Sequence, residues 1–250
     1  MPLSDFGLQI AAAATVPLLP FVWRQGQRVR DEIPRLPEAS GPSTGVVDGT
    51  GIPVRLLLFG ESTVAGVGAP DHEQGLAGHT ARVLARFIDR PVRWRAHGRR
   101  GVTAQAARNA LLPTLPKAPF HIAIIALGVN DVVQLHSPAR WRRDVGQLIA
   151  DVRARTDHPP VLLAGVPPIG QFPALPEPLR TVLGWRGQLL DEAGRHLAAE
   201  TQTITHVPAP LPEKPGAFSS DGFHPAPAGY ALWGQHLGRA AAKSVQERAR

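Results

Sequence analysis

Four short stretches of this chain carry side chains whose types and spacing could do chemistry. Ser62 stands in Gly60-Glu61-Ser62-Thr63-Val64-Ala65-Gly66, directly after the apolar run Val54–Phe59. A hydroxyl in a glycine-flanked turn past a strand end is free to face solvent and a neighbouring helix N-terminus. Gly101 closes Gly98-Arg99-Arg100-Gly101, and a glycine before a helix can offer its backbone N–H to an anion. Asn130, in Gly128-Val129-Asn130-Asp131, follows the run His121–Leu127 and can donate an amide N–H without carrying charge. Near the end stands Asp221-Gly222-Phe223-His224-Pro225, where a carboxylate three residues before a histidine can orient its ring and stabilise the imidazolium. Each stretch alone also reads as an ordinary turn. Together, a serine, two uncharged donors and a His/Asp pair make up the parts needed for acyl transfer.

Positioning these groups requires a sheet. The runs Val54–Phe59, His121–Leu127 and Val161–Ala164 are nearly continuously apolar and each stops at a glycine; Val92–Ala96 and Thr203–Val207 are weaker strands. Continuous rather than alternating apolar character indicates strands covered on both faces. Between them, helical patterns cover Gln74–Ile88, Thr103–Leu112, Pro138–Arg155, Leu179–Glu200 and Pro225–Val245, the third opening on a Ser137 cap with Pro138 at the first helical position. This alternation predicts an α/β fold with a parallel, doubly wound sheet, whose ligands bind beyond the carboxyl ends of the strands. All four stretches fall on that rim.

Composition closes off other classes. With 43% hydrophobic and 19% charged residues, the chain is neither disordered nor fibrous. The absence of cysteine removes disulfides, thiol catalysis and cysteine-ligated metals. The glycines around Ser62 miss the dinucleotide-binding spacing, and no lysine follows them as in a phosphate loop. The 10 histidines form no HExxH pair, and only His224 has a chemical setting. A formal charge of +7, almost all from arginine, is weak evidence for an anionic partner and reads equally as solubility. Arg93, Arg95, Arg99 and Arg100 cluster near Gly101, as a solvated face or as recognition of an anionic headgroup. With 6% aromatic residues and no binding motif, nucleic acid is not an expected partner. Val166–Phe172 is placed to line an acyl pocket or simply to pack, and Trp185 and Trp233 are expected in the core.

The chain resembles the SGNH (GDSL-type) hydrolases, a superfamily of esterases and lipases. The matching stretches are FGES around Ser62, the glycine at 101, GVND around Asn130 and DGFHP around His224, in the family's order, from about Val54 onward. The resemblance implies a three-layer α/β/α sandwich on a five-stranded, parallel, flavodoxin-like sheet. It implies Ser62 as nucleophile, His224 as general base and Asp221 as its orienting acid. Ser62 (backbone), Gly101 (backbone) and Asn130 (side chain) match the oxyanion-hole donors. No metal or organic cofactor is implied, and the substrate is a small-molecule or lipid ester. Two departures stand out: Glu61 occupies a position that is usually Asp, and Arg99 and Arg100 stand where an asparagine often precedes the glycine. An acyltransferase using the same residues, and a catalytically impaired membrane-tethered binding module, are the alternative readings.

The expected organisation has three parts. Residues 1–33 hold an uncharged run, Phe6–Val22, with a basic flank from Arg24. As a helix the run spans roughly 25 Å, just short of a bilayer core of about 30 Å. It reads as a membrane anchor through residues 6–23, as a helix packed on the domain, or as a processed signal. The arginine excess after it would put the catalytic domain on the cytoplasmic side; a soluble cytoplasmic or exported protein is the alternative. Residues 34–53, rich in Pro and Gly, read as a linker, and residues 54–250 as the catalytic domain.

Overall fold

The computed structural model of the chain describes residues 19–210 and 216–248. Its centre is a six-stranded sheet in the order β1-β3-β2-β4-β5-β6. These are β1 (Thr44–Val47), β2 (Val54–Gly60), β3 (Val92–Gly98), β4 (Ile122–Ala126), β5 (Val161–Ala164) and β6 (Ile204–Val207). Strands β2 to β6 pair in parallel, whereas β1 lies antiparallel on β3, with Thr44 opposite Arg95.

The period-two geometry of each strand splits its apolar run between two cores. Leu56 and Leu58 on β2, Ile122 and Ile124 on β4 and Leu162 on β5 face α2 (Leu76–Ile88) and α7 (Pro227–Arg248). Leu57 and Phe59, Ala123 and Ile125, and Leu163 face the other way, onto α5 (Pro138–Arg155) and α6 (Leu179–Glu200). Both faces are covered, so the strands could not afford polar alternation. Two short helices complete the rim. The first is α3 (Ala104–Ala106), continued by a π turn over Ala107–Leu111 and a 3-10 turn over Leu112–Thr114; the second is α4 (Val129–Val133).

The doubly wound architecture is as expected, but the sheet has six strands rather than five. The extra strand, β1, lies inside residues 34–53. Its side chains are half-buried or exposed in alternation, as befits a four-residue edge strand, and that leaves little apolar signal in the sequence. The same stretch runs close against the serine turn: Ala39 N donates to Ala65 O (3.0 Å) and Ser40 N to Pro70 O (3.1 Å).

Of the apolar segment 6–22, residues 6–18 lie outside the described residues. Its end opens the helix α1 (Leu19–Glu32). Val22 is buried in the core while Phe21 and Trp23 are exposed. Gln25 anchors α1 to α6: its Nε2 donates to Glu177 O (2.8 Å), and Leu179 N donates to its Oε1 (3.2 Å). Among the described residues, no helix is long and apolar enough to cross a membrane.

Candidate active site

Ser62 sits two residues beyond β2, and the turn that carries it is held by its own backbone. Val64 N and Ala65 N both donate to Glu61 O (3.0 Å each), and Val67 N to Ser62 O (3.0 Å). Glycine is required where this turn meets its neighbours. A Cβ at Gly98 would fall 2.4 Å from Ala65 N. Gly68 has φ +92°, and a Cβ there would fall 2.4 Å from Pro225 O.

That second contact joins the serine turn to the distant loop carrying His224. Ser219 Oγ donates to Gly68 O (3.2 Å), and the buried Tyr230 hydroxyl on α7 donates to Val67 O (2.6 Å). Residues 162 positions apart in sequence are thereby brought together: His224 Nε2 lies 3.1 Å from Ser62 Oγ. On the other edge of the ring, His224 Nδ1 lies 2.6 Å from Asp221 Oδ2. Asp221 Oδ1 accepts from Phe223 N and His224 N (2.9 Å each), which fixes the carboxylate without using its histidine-facing oxygen. Burial works to raise the Asp221 carboxyl, but the His224 ring and the two backbone donors outweigh it and hold it below its ordinary value. Asp221 is therefore ionised at neutral pH.

The other predicted site residues gather around Ser62. Gly101 has φ +76° and borders, with Ser62 and Asn130, a cleft of about 800 Å³. The backbone N–H groups of Ser62 and Gly101 have no acceptor among the described residues. Asn130 Nδ2 donates to Glu61 Oε2 and to Val102 O, the latter at 3.2 Å.

Two residues whose roles sequence reasoning missed support these groups. Glu61 is 3% exposed, and its carboxylate reaches across the β2–β4 boundary to accept from Val129 N (3.0 Å), Asn130 N (3.2 Å) and the Asn130 amide. It thus caps α4 and orients Asn130. The extra methylene relative to aspartate lengthens that reach. Asp131, fully buried, accepts from Ala104 N (3.0 Å) and pairs with His136 Nδ1 (2.8 Å), tying the Gly101 loop to the Asn130 turn. The available signal was an acid directly beside each functional residue at a strand end, where a carboxylate can be retained only if N–H groups meet it.

Burial outweighs the donors around Glu61 and pushes its carboxyl up to about 7. A carboxyl raised in the folded state holds a proton that the unfolded chain has released. Its contribution to stability is therefore fully present below about pH 4.5 and lost as pH rises toward 7. Glu61→Gln removes this titration. Chemical denaturation of both proteins at pH 4.5 and pH 8 should show wild type losing about 3 kcal/mol relative to the variant over that interval.

Two spaces of unequal size meet at Ser62 and His224. The smaller, about 60 Å³, is walled by Pro167, Pro168, Phe172, Phe218, Phe223 and Trp233, so the Val166–Phe172 segment does line the site. The larger is the 800 Å³ cleft, whose walls come from α1, α4 and α6. Trp233 is buried as expected, but Trp185 is not a core residue: it lines the large cleft.

The sequence model of the GDSL-like Lipase/Acylhydrolase family matches residues 58–232. The chain belongs to this family. A GDSL-like hydrolase of this kind is a carboxylic ester hydrolase. The GDSL-like esterase Rv1075c of Mycobacterium tuberculosis is 28% identical over 233 positions, covering 83% of this chain and 71% of that one. Among solved structures, the lipase Lip_vut3 from a goat rumen metagenome superposes with a TM-score of 0.57 at 18% identity, covering 75% of this chain and 97% of that chain. The carbohydrate acetylesterase Est24 of Sinorhizobium meliloti gives a TM-score of 0.58 at 19% identity, covering 76% and 99%. At such identities, the structural likenesses of this GDSL-like hydrolase speak for the fold.

Proposed function

We propose that the chain hydrolyses carboxylic esters through a Ser62–His224–Asp221 triad, with Ser62 N, Gly101 N and Asn130 Nδ2 as oxyanion donors. The observation that carries this reading is the unbroken line Ser62 Oγ–His224 Nε2–Nδ1–Asp221 Oδ2, at 3.1 and 2.6 Å. His224 takes the proton as Ser62 Oγ attacks the ester carbonyl. Asp221, ionised and fixed by two backbone donors, keeps the ring proton on Nδ1 so that Nε2 is free to act as base. Charge developing on the carbonyl oxygen meets the unengaged N–H groups of Ser62 and Gly101 at once. The Asn130 amide joins them by exchanging its longer bond, to Val102 O, for the oxyanion. His224 then protonates the departing alcohol, and a water activated by the same nitrogen attacks the acyl-serine and releases the acid.

The test is hydrolysis of para-nitrophenyl esters of graded chain length, together with covalent labelling of Ser62 by a fluorophosphonate. Failure to label Ser62 would sink the reading. Adding glycerol or a sugar tests the acyltransferase alternative, for which new ester product would be required. Asn130→Ala should lower kcat by about 10²–10³ with little change in KM, because its bond to the oxygen is gained only in the transition state. Steady-state kinetics on a single ester would check this, and an undiminished kcat would remove Asn130 from the oxyanion role.

A further inference from the structure

The large cleft has a composition that ester hydrolysis alone does not require. It is apolar along α1, α4 and α6, yet four arginines border it (Arg30, Arg35, Arg100 and Arg186), and none of its lining residues is acidic. Arg30 and Arg35 are exposed, whereas Arg100 and Arg186 are half-buried. Each of these two side chains uses one of its donors on the protein: Arg100 Nη2 on Leu36 O, and Arg186 Nη2 on His136 O (3.0 Å). The Nε of both is sealed from water without a partner among the described residues. A guanidinium carries five N–H donors, so with one engaged and one sealed, the others of each group remain for a ligand in the cleft that Ser62 also borders. Neither forms an ion pair with a carboxylate among the described residues; Glu38, the nearest acid in the hydrogen-bond network, accepts from Arg100 N (3.0 Å) rather than from the guanidinium. Burial also presses on the charge of Arg186 and lowers its pKa. A half-buried guanidinium without an ion-pair partner gains most from a ligand that brings an anion to it.

We infer that the enzyme prefers esters of anionic amphiphiles: one half of the ester is an apolar chain bearing a carboxylate or phosphate, lying in the large cleft with its charge on Arg186 and Arg100. The inference rests on the reading of Ser62 as nucleophile. It adds that the other half of the ester is small. A cavity of about 150 Å³ accepts benzene, so the 60 Å³ space that also borders Ser62 and His224 suits a group of a few heavy atoms. The 800 Å³ of the cleft, by contrast, falls within the usual range for a whole small molecule.

The experiment compares kcat/KM for matched esters that differ only in terminal charge. On the acyl side these are methyl hexanoate and the monomethyl ester of adipic acid, followed by pH-stat. On the alcohol side they are hexyl acetate and the acetate esters of omega-hydroxyhexanoic acid and of hexanediol monophosphate, followed by pH-stat. At low ionic strength, the anionic ester should be favoured by about tenfold or more on at least one side, since a charge-assisted hydrogen bond is worth about that factor. The carboxylate and phosphate arms separate the two sources of charge. The preference should shrink as salt is raised, should fall several-fold in Arg186→Gln and should approach unity when Arg100→Gln is added to it. Because the readout is a ratio within each protein, a partial loss of folded enzyme lowers both rates and leaves the ratio intact. Equal or better turnover of the neutral esters on both sides would overturn the inference, as would a preference untouched by Arg186→Gln. In either case the hydrolase reading would stand. Failure to hydrolyse any ester would bring down that reading and this one with it.

Discussion

Replacing Ser62 by alanine should leave the fold in place and lower kcat for any ester by about 10⁶, the scale set by removal of a triad serine. The two halves of that expectation have separate structural grounds. Ser62 Oγ has one partner among the described residues, His224 Nε2, and the turn around it is held by backbone bonds that do not involve the hydroxyl. Its removal therefore breaks no structural bond and deletes a single buried oxygen, and thermal unfolding should move by no more than about 1 kcal/mol. In the proposed mechanism this hydroxyl is also the group that forms the acyl-enzyme. What remains is the electrostatic help of the Ser62 and Gly101 N–H groups to direct attack by water, a residual of about 10³–10⁴ over the uncatalysed rate. Initial rates at high enzyme concentration, with melting curves on the same samples, would measure both. A variant retaining more than a hundredth of the activity would place the nucleophile elsewhere.

Asp221→Asn should lower kcat by about 10⁴, or about 5.5 kcal/mol of barrier, with KM little changed. Asparagine can still accept from Phe223 N and His224 N through its oxygen, which keeps the loop closed. Its amide must then face His224 Nδ1 as a donor. The ring responds by carrying its proton on Nε2, directed at Ser62 Oγ, and the base is lost with the geometry intact. Asp221→Ala is the less informative change, because it also abandons two backbone donors. The wild-type carboxyl, held below its ordinary value, stabilises the fold above that range and ceases to do so as pH falls through its folded pKa. The asparagine variant should lack that acid-side loss. An Asp221→Asn enzyme with nearly full kcat would show that the ring is oriented by something else.

Much of the architecture, and the residues that come together as the candidate site, were legible in the sequence for identifiable physical reasons. Strands β4 and β5 are buried at every position and β2 at all but the exposed Arg55, so their residues had to be almost wholly apolar and the runs stood out. The Ser137–Pro138 pair marked the start of α5, and Ser137 Oγ does accept from Arg140 N (3.2 Å). The elements that were missed lack such signals. β1 is an edge strand of four residues in a Pro/Gly-rich stretch, and α4 is a single turn of five. Its fold-back depends on Glu61, 68 positions away from Val129, and local periodicity cannot register such a contact. Trp185 was expected in the core because tryptophan usually is; α6 instead turns that ring toward a cleft whose opposite wall is α1, outside the stretch from which the domain was read. The roles of Glu61 and Asp131 stayed hidden because an isolated acid in a turn reads as solvent-facing until its N–H partners are known.

The wall formed by α1 separates two things that many enzymes keep in one place. The helix contributes none of Ser62, Asp221, His224, Gly101 or Asn130, yet its residues from Val22 to Arg30 bound one side of the space where the larger half of the ester would lie. On the proposed reading, α1 shapes where the substrate lies without supplying a reacting group, and it is tied to the start of α6 through Gln25. Relatives that exchange this helix for another of equal length could acquire a new diet while inheriting the old reaction unchanged.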